Sequence, residues 1–165
     1  MKGHWWFGTV VCAAGLSLAT PASAEPATAN SIQLGLGFRY GFNLKSGSNP
    51  FGLGLGLDGG YTFPSAWYLG GNFDYFFGEE NGDTGLLQLM PELGYDLGIG
   101  DSFVIRPKVG AGYASFQSDS LFAVAPGTKL MLFTSSVSLS VDLRYDLVFA
   151  DPALNGLILS AGIGF

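Results

Sequence analysis

The chain has 165 residues, with seven Lys or Arg against thirteen Asp or Glu and a net charge of −6. That length suits one domain, and the acidic balance excludes a nucleic-acid partner, because neutralising phosphates needs clustered basic residues. One Cys and one His in the whole sequence exclude a disulfide framework and a metal site of the His/Cys type.

Residues 1–24 read as a secretory signal peptide. Lys2 gives a short positive region, Trp5 to Leu18 form an uncharged apolar run, and Ala22-Ser23-Ala24 is a small-x-small site before Glu25. The run is too short for a spanning helix. The residues before Cys12 (Thr9, Val10, Val11) do not resemble a lipoprotein processing box. Cleavage after Ala24 is expected to remove Lys2, His4 and Cys12, leaving six basic against thirteen acidic residues, a net charge of −7. Without histidine, neither a Ser-His nor an Asp-His catalytic centre can be assembled. No later segment approaches ~18 consecutive apolar residues.

Residues 25–30 are a short Pro/Ala/Thr linker, and residues 31–165 divide into eight alternating segments. The first sets Ile32, Leu34, Leu36, Phe38, Tyr40 and Phe42 against Gln33, Gly35, Gly37, Arg39, Gly41 and Asn43. The second sets Phe51, Leu53, Leu55, Leu57, Tyr61 and Phe63 against Gly52, Gly54, Gly56, Asp58, Gly60 and Thr62. In the third, Trp67, Leu69, Phe73, Tyr75 and Phe77 oppose Tyr68, Gly70, Asn72, Asp74 and Phe76. In the fourth, Leu87, Leu89, Pro91, Leu93, Tyr95 and Leu97 oppose Gln88, Met90, Glu92, Gly94 and Asp96. The fifth sets Phe103, Ile105, Pro107, Val109, Ala111 and Tyr113 against Arg106, Lys108, Gly110 and Gly112. The sixth, Phe122 to Phe133, is the least regular, with Lys129 on its polar parity. The seventh sets Val137, Leu139, Val141, Leu143, Tyr145 and Leu147 against Ser138, Ser140, Asp142, Arg144 and Asp146. The eighth puts Leu157, Leu159, Ala161, Ile163 and Phe165 on one parity. A sustained period of two predicts strands.

The breaks between segments differ in kind. Phe63 to Ala66, Gly98 to Ser102 and Thr134 to Ser136 are tight. Lys45 to Pro50, Gly78 to Gly85, Gln117 to Leu121 and Ala150 to Gly156 are longer and more polar. Pro91, Pro107 and Pro126 fall inside strands, where each removes a ladder donor, and local bulges are expected there.

The charges decide which parity faces where. Arg39, Arg106, Lys108, Lys129 and Arg144 share the polar parity with Asp58, Asp74, Glu92, Asp96, Asp142 and Asp146. A lipid-facing Arg or Lys at mid-membrane costs about 2–4 kcal/mol, so the charge-free parity is expected to meet hydrocarbon. The glycine-rich parity would then face a narrow lumen, where glycine makes room for charged side chains. A soluble barrel with its apolar face inward explains neither feature. Hairpin register suggests Lys129 with Asp142, Asp96 with Arg106 or Glu92 with Lys108, and Arg39 with Asp58. These charges either satisfy one another in a packed lumen or line a gated polar pathway.

The last strand, ending on an aromatic residue after alternate apolar positions, resembles the closing strand of bacterial outer-membrane barrels. The whole of residues 31–165 is similar to the eight-stranded outer-membrane barrels of the OmpA/OmpX and opacity-protein kind, an all-β, antiparallel, up-and-down transmembrane β-barrel. That resemblance implies a place in the bacterial outer membrane with both termini periplasmic. It implies outer-membrane lipid as surroundings, and the barrel-assembly machinery and periplasmic chaperones as biogenesis partners. Leu157, Leu159, Ala161, Ile163 and Phe165 would form the assembly signal. Girdles of Tyr40, Phe42, Tyr75, Phe77, Tyr113, Tyr145 and Phe149 above, and Phe63, Trp67, Phe103 and Phe165 below, would flank the apolar band. Known enzymes of this architecture use histidine, so no enzyme and no cofactor is expected. No peptidoglycan-anchoring domain is expected after Phe165. Loop residues Glu79, Glu80, Asp83, Asp119 and Asp151 form an acidic rim that is either a solvated surface or a place to meet an extracellular partner of unknown kind. Two roles remain open: a structural or surface-interaction barrel, or a narrow channel for small solutes or ions.

Overall fold

The computed structural model describes residues 27–44, 49–78, 85–116, 119–150 and 154–165. The signal-peptide segment lies outside them, as do Glu79, Glu80, Asp83 and Asp151 of the acidic rim. Among the described residues the strands are β1 (Ser31–Asn43), β2 (Gly52–Thr62), β3 (Trp67–Phe76), β4 (Leu86–Tyr95), β5 (Leu97–Ile99), β6 (Phe103–Phe116), β7 (Asp119–Phe133), β8 (Ser138–Phe149) and β9 (Leu154–Gly164). Each pairs antiparallel with its neighbours, and β1 pairs with β9 to close the sheet. β4 and β5 both pair with β6 in one register, so they are two pieces of a single stave interrupted at Asp96. The result is a closed, eight-stranded, antiparallel barrel. Closure removes every sheet edge, which is what lets strands cross a bilayer with all backbone groups satisfied.

The alternation sorts cleanly between the two faces. Leu34, Leu36, Phe38, Leu55, Leu69, Leu93, Leu143 and Leu159 are exposed on the outer face, whereas Arg39, Asp74, Glu92, Arg106 and Arg144 are buried inside. Aromatic pairs sit at both ends of the outer band. Tyr40 and Phe42 stack edge-on at 4.7 Å and Tyr75 and Phe77 at 5.3 Å; at the end carrying the termini, Trp67 and Tyr95 do so at 5.3 Å.

Four expectations need correction, the last of them at the prolines. Phe51 is fully buried and turns inward, because Gly52 (φ 51°) breaks the phase at the first residue of β2. There it packs edge-on against Phe76 at 5.8 Å, in room left by Gly41 and Gly156. The sixth segment is in fact fully regular: Ala123, Ala125, Lys129 and Met131 point in, while Phe122, Pro126, Leu130 and Leu132 point out. It looks irregular in sequence because its inner residues are mostly apolar. The β6–β7 ladder also runs to Phe116↔Asp119, so Asp119, Ser120 and Leu121 of the expected loop are strand, while Gln117 and Ser118 lie outside the described residues.

The prolines interrupt ladders without bulging them. The β4–β6 ladder stops at Leu89↔Tyr113 and resumes in the same register at Glu92↔Gly110, skipping Pro91. Pro107 likewise separates β4 from β5, and the β7–β8 ladder skips Pro126 between Val124↔Leu147 and Gly127↔Arg144. Proline has no N–H to give, so one side of the ladder loses a bond while the other keeps its register. On their other sides, Gly71↔Pro91, Pro107↔Thr128 and Val109↔Pro126 are intact.

Candidate functional site in the barrel lumen

Inward glycines on β1, β2 and β6 leave space that long charged side chains fill, and three groups of charge result. The largest is a continuous chain running Lys129–Asp58–Arg39–Asp74–Arg144–Asp146. Its successive N···O distances are 2.5, 3.4, 3.0, 2.7 and 2.7 Å. Arg144 also donates to Gln88 Oε1 at 3.0 Å. The second group centres on Lys108, whose Nζ meets Glu92 at 2.8 Å and Asp142 at 2.6 Å. Asn72 donates to the same Glu92 oxygen at 2.6 Å.

The third group lies at the end carrying the termini. Arg106 Nε meets Asp96 Oδ1 at 2.5 Å, and its Nη2 donates to Asp96 Oδ2, Gln33 Oε1 and Thr62 Oγ1. The guanidinium also lies 3.6 Å from the Tyr68 ring centroid, a cation–π contact. From below, the turn at residues 27–30 presses in the fully buried Thr28, whose hydroxyl donates to Asp96.

The opposite end of the lumen is apolar. Phe51, Phe76, Leu86, Met90, Ala114, Ala123, Ala125, Val148 and Ile158 form one buried cluster there. The lumen is therefore layered: a polar floor with Thr28, a charged middle and an apolar cap. Buried charge without a partner is expensive, and each of the eleven inner charged side chains engages an opposite charge.

Register and pairing differ in two places. Lys129 lies opposite Asp142 on the ladder, yet its ammonium crosses the lumen to Asp58, and Asp142 goes to Lys108. Arg39 lies opposite Gly54 and reaches Asp58 on the diagonal. Both Asp96–Arg106 and Glu92–Lys108 form. Sequence reasoning missed Thr28 and the apolar cap, for which the sequence signal is that Phe76, Met90 and Ile158 fall on the polar parity. Among the described residues no group of His, Cys, Asp and Glu is arranged to hold a metal ion.

In β9, Leu159, Ala161 and Ile163 face outward and Leu157 is half-buried; Phe165, just past the strand, is exposed on the same side. Phe165 extends the pairing beyond the strand, its N–H donating to Leu34 O at 2.8 Å and its carbonyl accepting from Leu34 N at 3.2 Å.

The family model described as outer membrane protein beta-barrel domain matches residues 9–165. The chain belongs to that family. Its outward apolar band therefore meets membrane lipid. Among solved structures, it is similar to Neisserial surface protein A (NspA), with a TM-score of 0.60 and 12% identity over 81% of this chain and 94% of that one. A de novo designed transmembrane beta-barrel gives a TM-score of 0.57 at 12% identity, covering 87% of this chain and 98% of the design. Ail, the attachment invasion locus protein of Yersinia pestis, gives 0.50 at 18% identity, covering 82% and 99%. At such identities the likeness is one of fold. No curated protein matches the sequence.

Proposed function

We propose that this barrel is a non-conducting structural or surface-interaction protein of the bacterial outer membrane. The observation that carries the reading is the filled lumen: a buried apolar cluster at one end, paired charges in the middle and the Thr28–Asp96–Arg106 floor at the other. Water and ions crossing it would have to displace close-packed side chains and separate buried ion pairs, each costly. The eleven charged residues are then a structural filling that holds the staves in register. No step of catalysis is assigned to them, since every carboxylate is already held by a cation.

On this reading both termini lie in the periplasm and the longer connections face outward, free to meet an extracellular partner. Leu157, Leu159, Ala161, Ile163 and Phe165 act as the signal read by the assembly machinery and periplasmic chaperones. The outward alternation of β9 and the exposed terminal ring support that role.

Planar-bilayer recording of the refolded protein tests the reading. The expected result is no discrete conductance. Reproducible single-channel steps that change with Lys129→Ala or Asp142→Ala would overturn it in favour of a narrow channel.

A further inference from the structure

We propose that the outer wall of the barrel carries a seat for one phospholipid acyl chain, over Gly59 and Gly71. These two glycines occupy outward positions and are direct partners on β2 and β3, with Leu34 opposite Gly59 and Pro91 opposite Gly71. The row of large outward side chains is broken there by a groove of about 670 Å³, walled by Leu34, Leu57, Phe73, Leu89, Pro91 and Tyr113. Its floor is bare backbone.

The inner side of that floor is bare too, because Gly60 pairs with Gly70. Tyr68 backs it from within: a Cβ on Gly60 would stand 2.6 Å from the ring. The Tyr68 hydroxyl donates to Gly59 O at 3.0 Å, and Arg106 clamps the ring from the lumen. The groove therefore has a supported floor that keeps its shape.

Three observations choose the occupant. The groove is continuous with the band that meets lipid, and its apolar walls give water no partners. No free charge points into it, since the Asp58 carboxylate is turned inward to Arg39 and Lys129; a headgroup is therefore excluded and a hydrocarbon chain fits. A dent a single glycine pair wide is far below the ~800 Å² per partner of a stable protein interface, which disfavours a second copy. Gly59 and Gly71 lie three and four residues from the strand ends at Thr62 and Trp67, about 10–13 Å along the strand. The floor thus lies nearer the termini end on both strands, by a single residue at Gly71, and this assigns the seated chain to the leaflet on the termini side. That leaflet is periplasmic, and its lipid phospholipid, on the orientation proposed above.

The test places the refolded protein in nanodiscs of phosphatidylethanolamine and phosphatidylglycerol, doped with phospholipid bearing a nitroxide on its acyl chain. The Gly59 and Gly71 amide signals are expected to broaden at least threefold more than that of Ala161, a small outward residue on β9. Gly59→Leu, whose Cβ would stand 2.8 Å from the movable end of Leu34 and 3.4 Å from Gln33 O, should abolish the excess at Gly71. Equal broadening at all three sites in the unaltered protein overturns the proposal. Displacement by unlabelled lipid A and not by unlabelled phospholipid overturns the source. A disulfide-linked dimer formed by Gly71→Cys, with no excess broadening, assigns the groove to a second copy instead.

Discussion

Arg39 on β1 and Asp74 on β3 meet across the intervening strand, Nε to Oδ1 at 3.0 Å, through the opening left by Gly56. Both side chains are buried, at 5% and 0% exposure. The pair lies in the middle of the six-residue charge chain, so a single glycine on β2 permits the contact that joins three strands and, through Arg144, reaches β8.

Gly56→Ala should break that junction. A Cβ there would overlap Asp74 Oδ1 and stand 2.6 Å from Arg39 Nε. Removing one partner of a buried pair costs about 3–5 kcal/mol; here Arg39 keeps Asp58 and Asp74 keeps Arg144, so the loss should lie below that. Gly110→Ala is the matched control, also inward, where a Cβ meets nothing closer than 3.5 Å. Urea unfolding in vesicles, followed by heat-modifiable gel mobility, should show a large midpoint drop for the first and little for the second. Equal midpoints would show that the Gly56 opening is not required.

How much of this is legible in the sequence depends on contrast between the two faces. Where lipid lies outside and charge inside, as at Leu93/Glu92 or Leu143/Arg144, a period of two separates them at once. At the apolar cap the contrast vanishes: Phe51, Ala123 and Ala125 are as apolar as their outward neighbours, so neither the Gly52 phase break nor the regularity of β7 can be read. Ladder register fixes neighbours along the wall, but a lysine stem spans a narrow lumen. Lys129 therefore chooses Asp58 across the barrel over Asp142 beside it. Nothing in Ala27-Thr28-Ala29-Asn30 announces a buried residue. Thr28 enters because Asn30 takes a left-handed backbone (φ 55°), held by Tyr61 Oη donating to Asn30 Oδ1 at 2.5 Å.

Leu93→Arg checks the outer face. Leu93 is 48% exposed and sits in the apolar band beside Leu69 and Val109. A cation there should cost about 2–4 kcal/mol near mid-membrane, less if it lies toward the interface. Gly110→Ser, on the lumen side where a Cβ makes only ordinary van der Waals contacts at 3.5 Å, should fold with nearly unchanged yield. The measurement is the folded fraction after dilution into vesicles. Comparable losses in both would mean that the faces are reversed.

Pro91→Ala should close a gap. The alanine N–H would face β6 where the ladder skips from Leu89↔Tyr113 to Glu92↔Gly110. One recovered backbone bond contributes about 0.5–1.5 kcal/mol. Hydrogen exchange should find a protected amide at position 91, with no change at Gly71, whose pairing with Pro91 on β3 is already complete. An unprotected amide at 91 would show that the strands there are held apart by something other than the missing donor.

The floor of the lumen should respond in a graded way. Asp96 accepts from Thr28, from Thr62 Oγ1 at 3.0 Å and from two nitrogens of Arg106 at 2.5 and 2.8 Å. Thr28→Ala removes one of four donors and leaves the carboxylate held by the rest, so the loss should be about 1 kcal/mol. Asp96→Asn removes the countercharge of Arg106, which is 1% exposed and has no other carboxylate within ion-pair distance among the described residues. A stranded buried cation costs about 3–5 kcal/mol. The denaturation midpoints should therefore fall in the order Thr28→Ser, Thr28→Ala, Asp96→Asn, with Thr28→Ser nearest the unaltered protein. If Thr28→Ala instead costs as much as Asp96→Asn, the turn at residues 27–30 holds the floor through packing, and the hydroxyl contact is incidental to it.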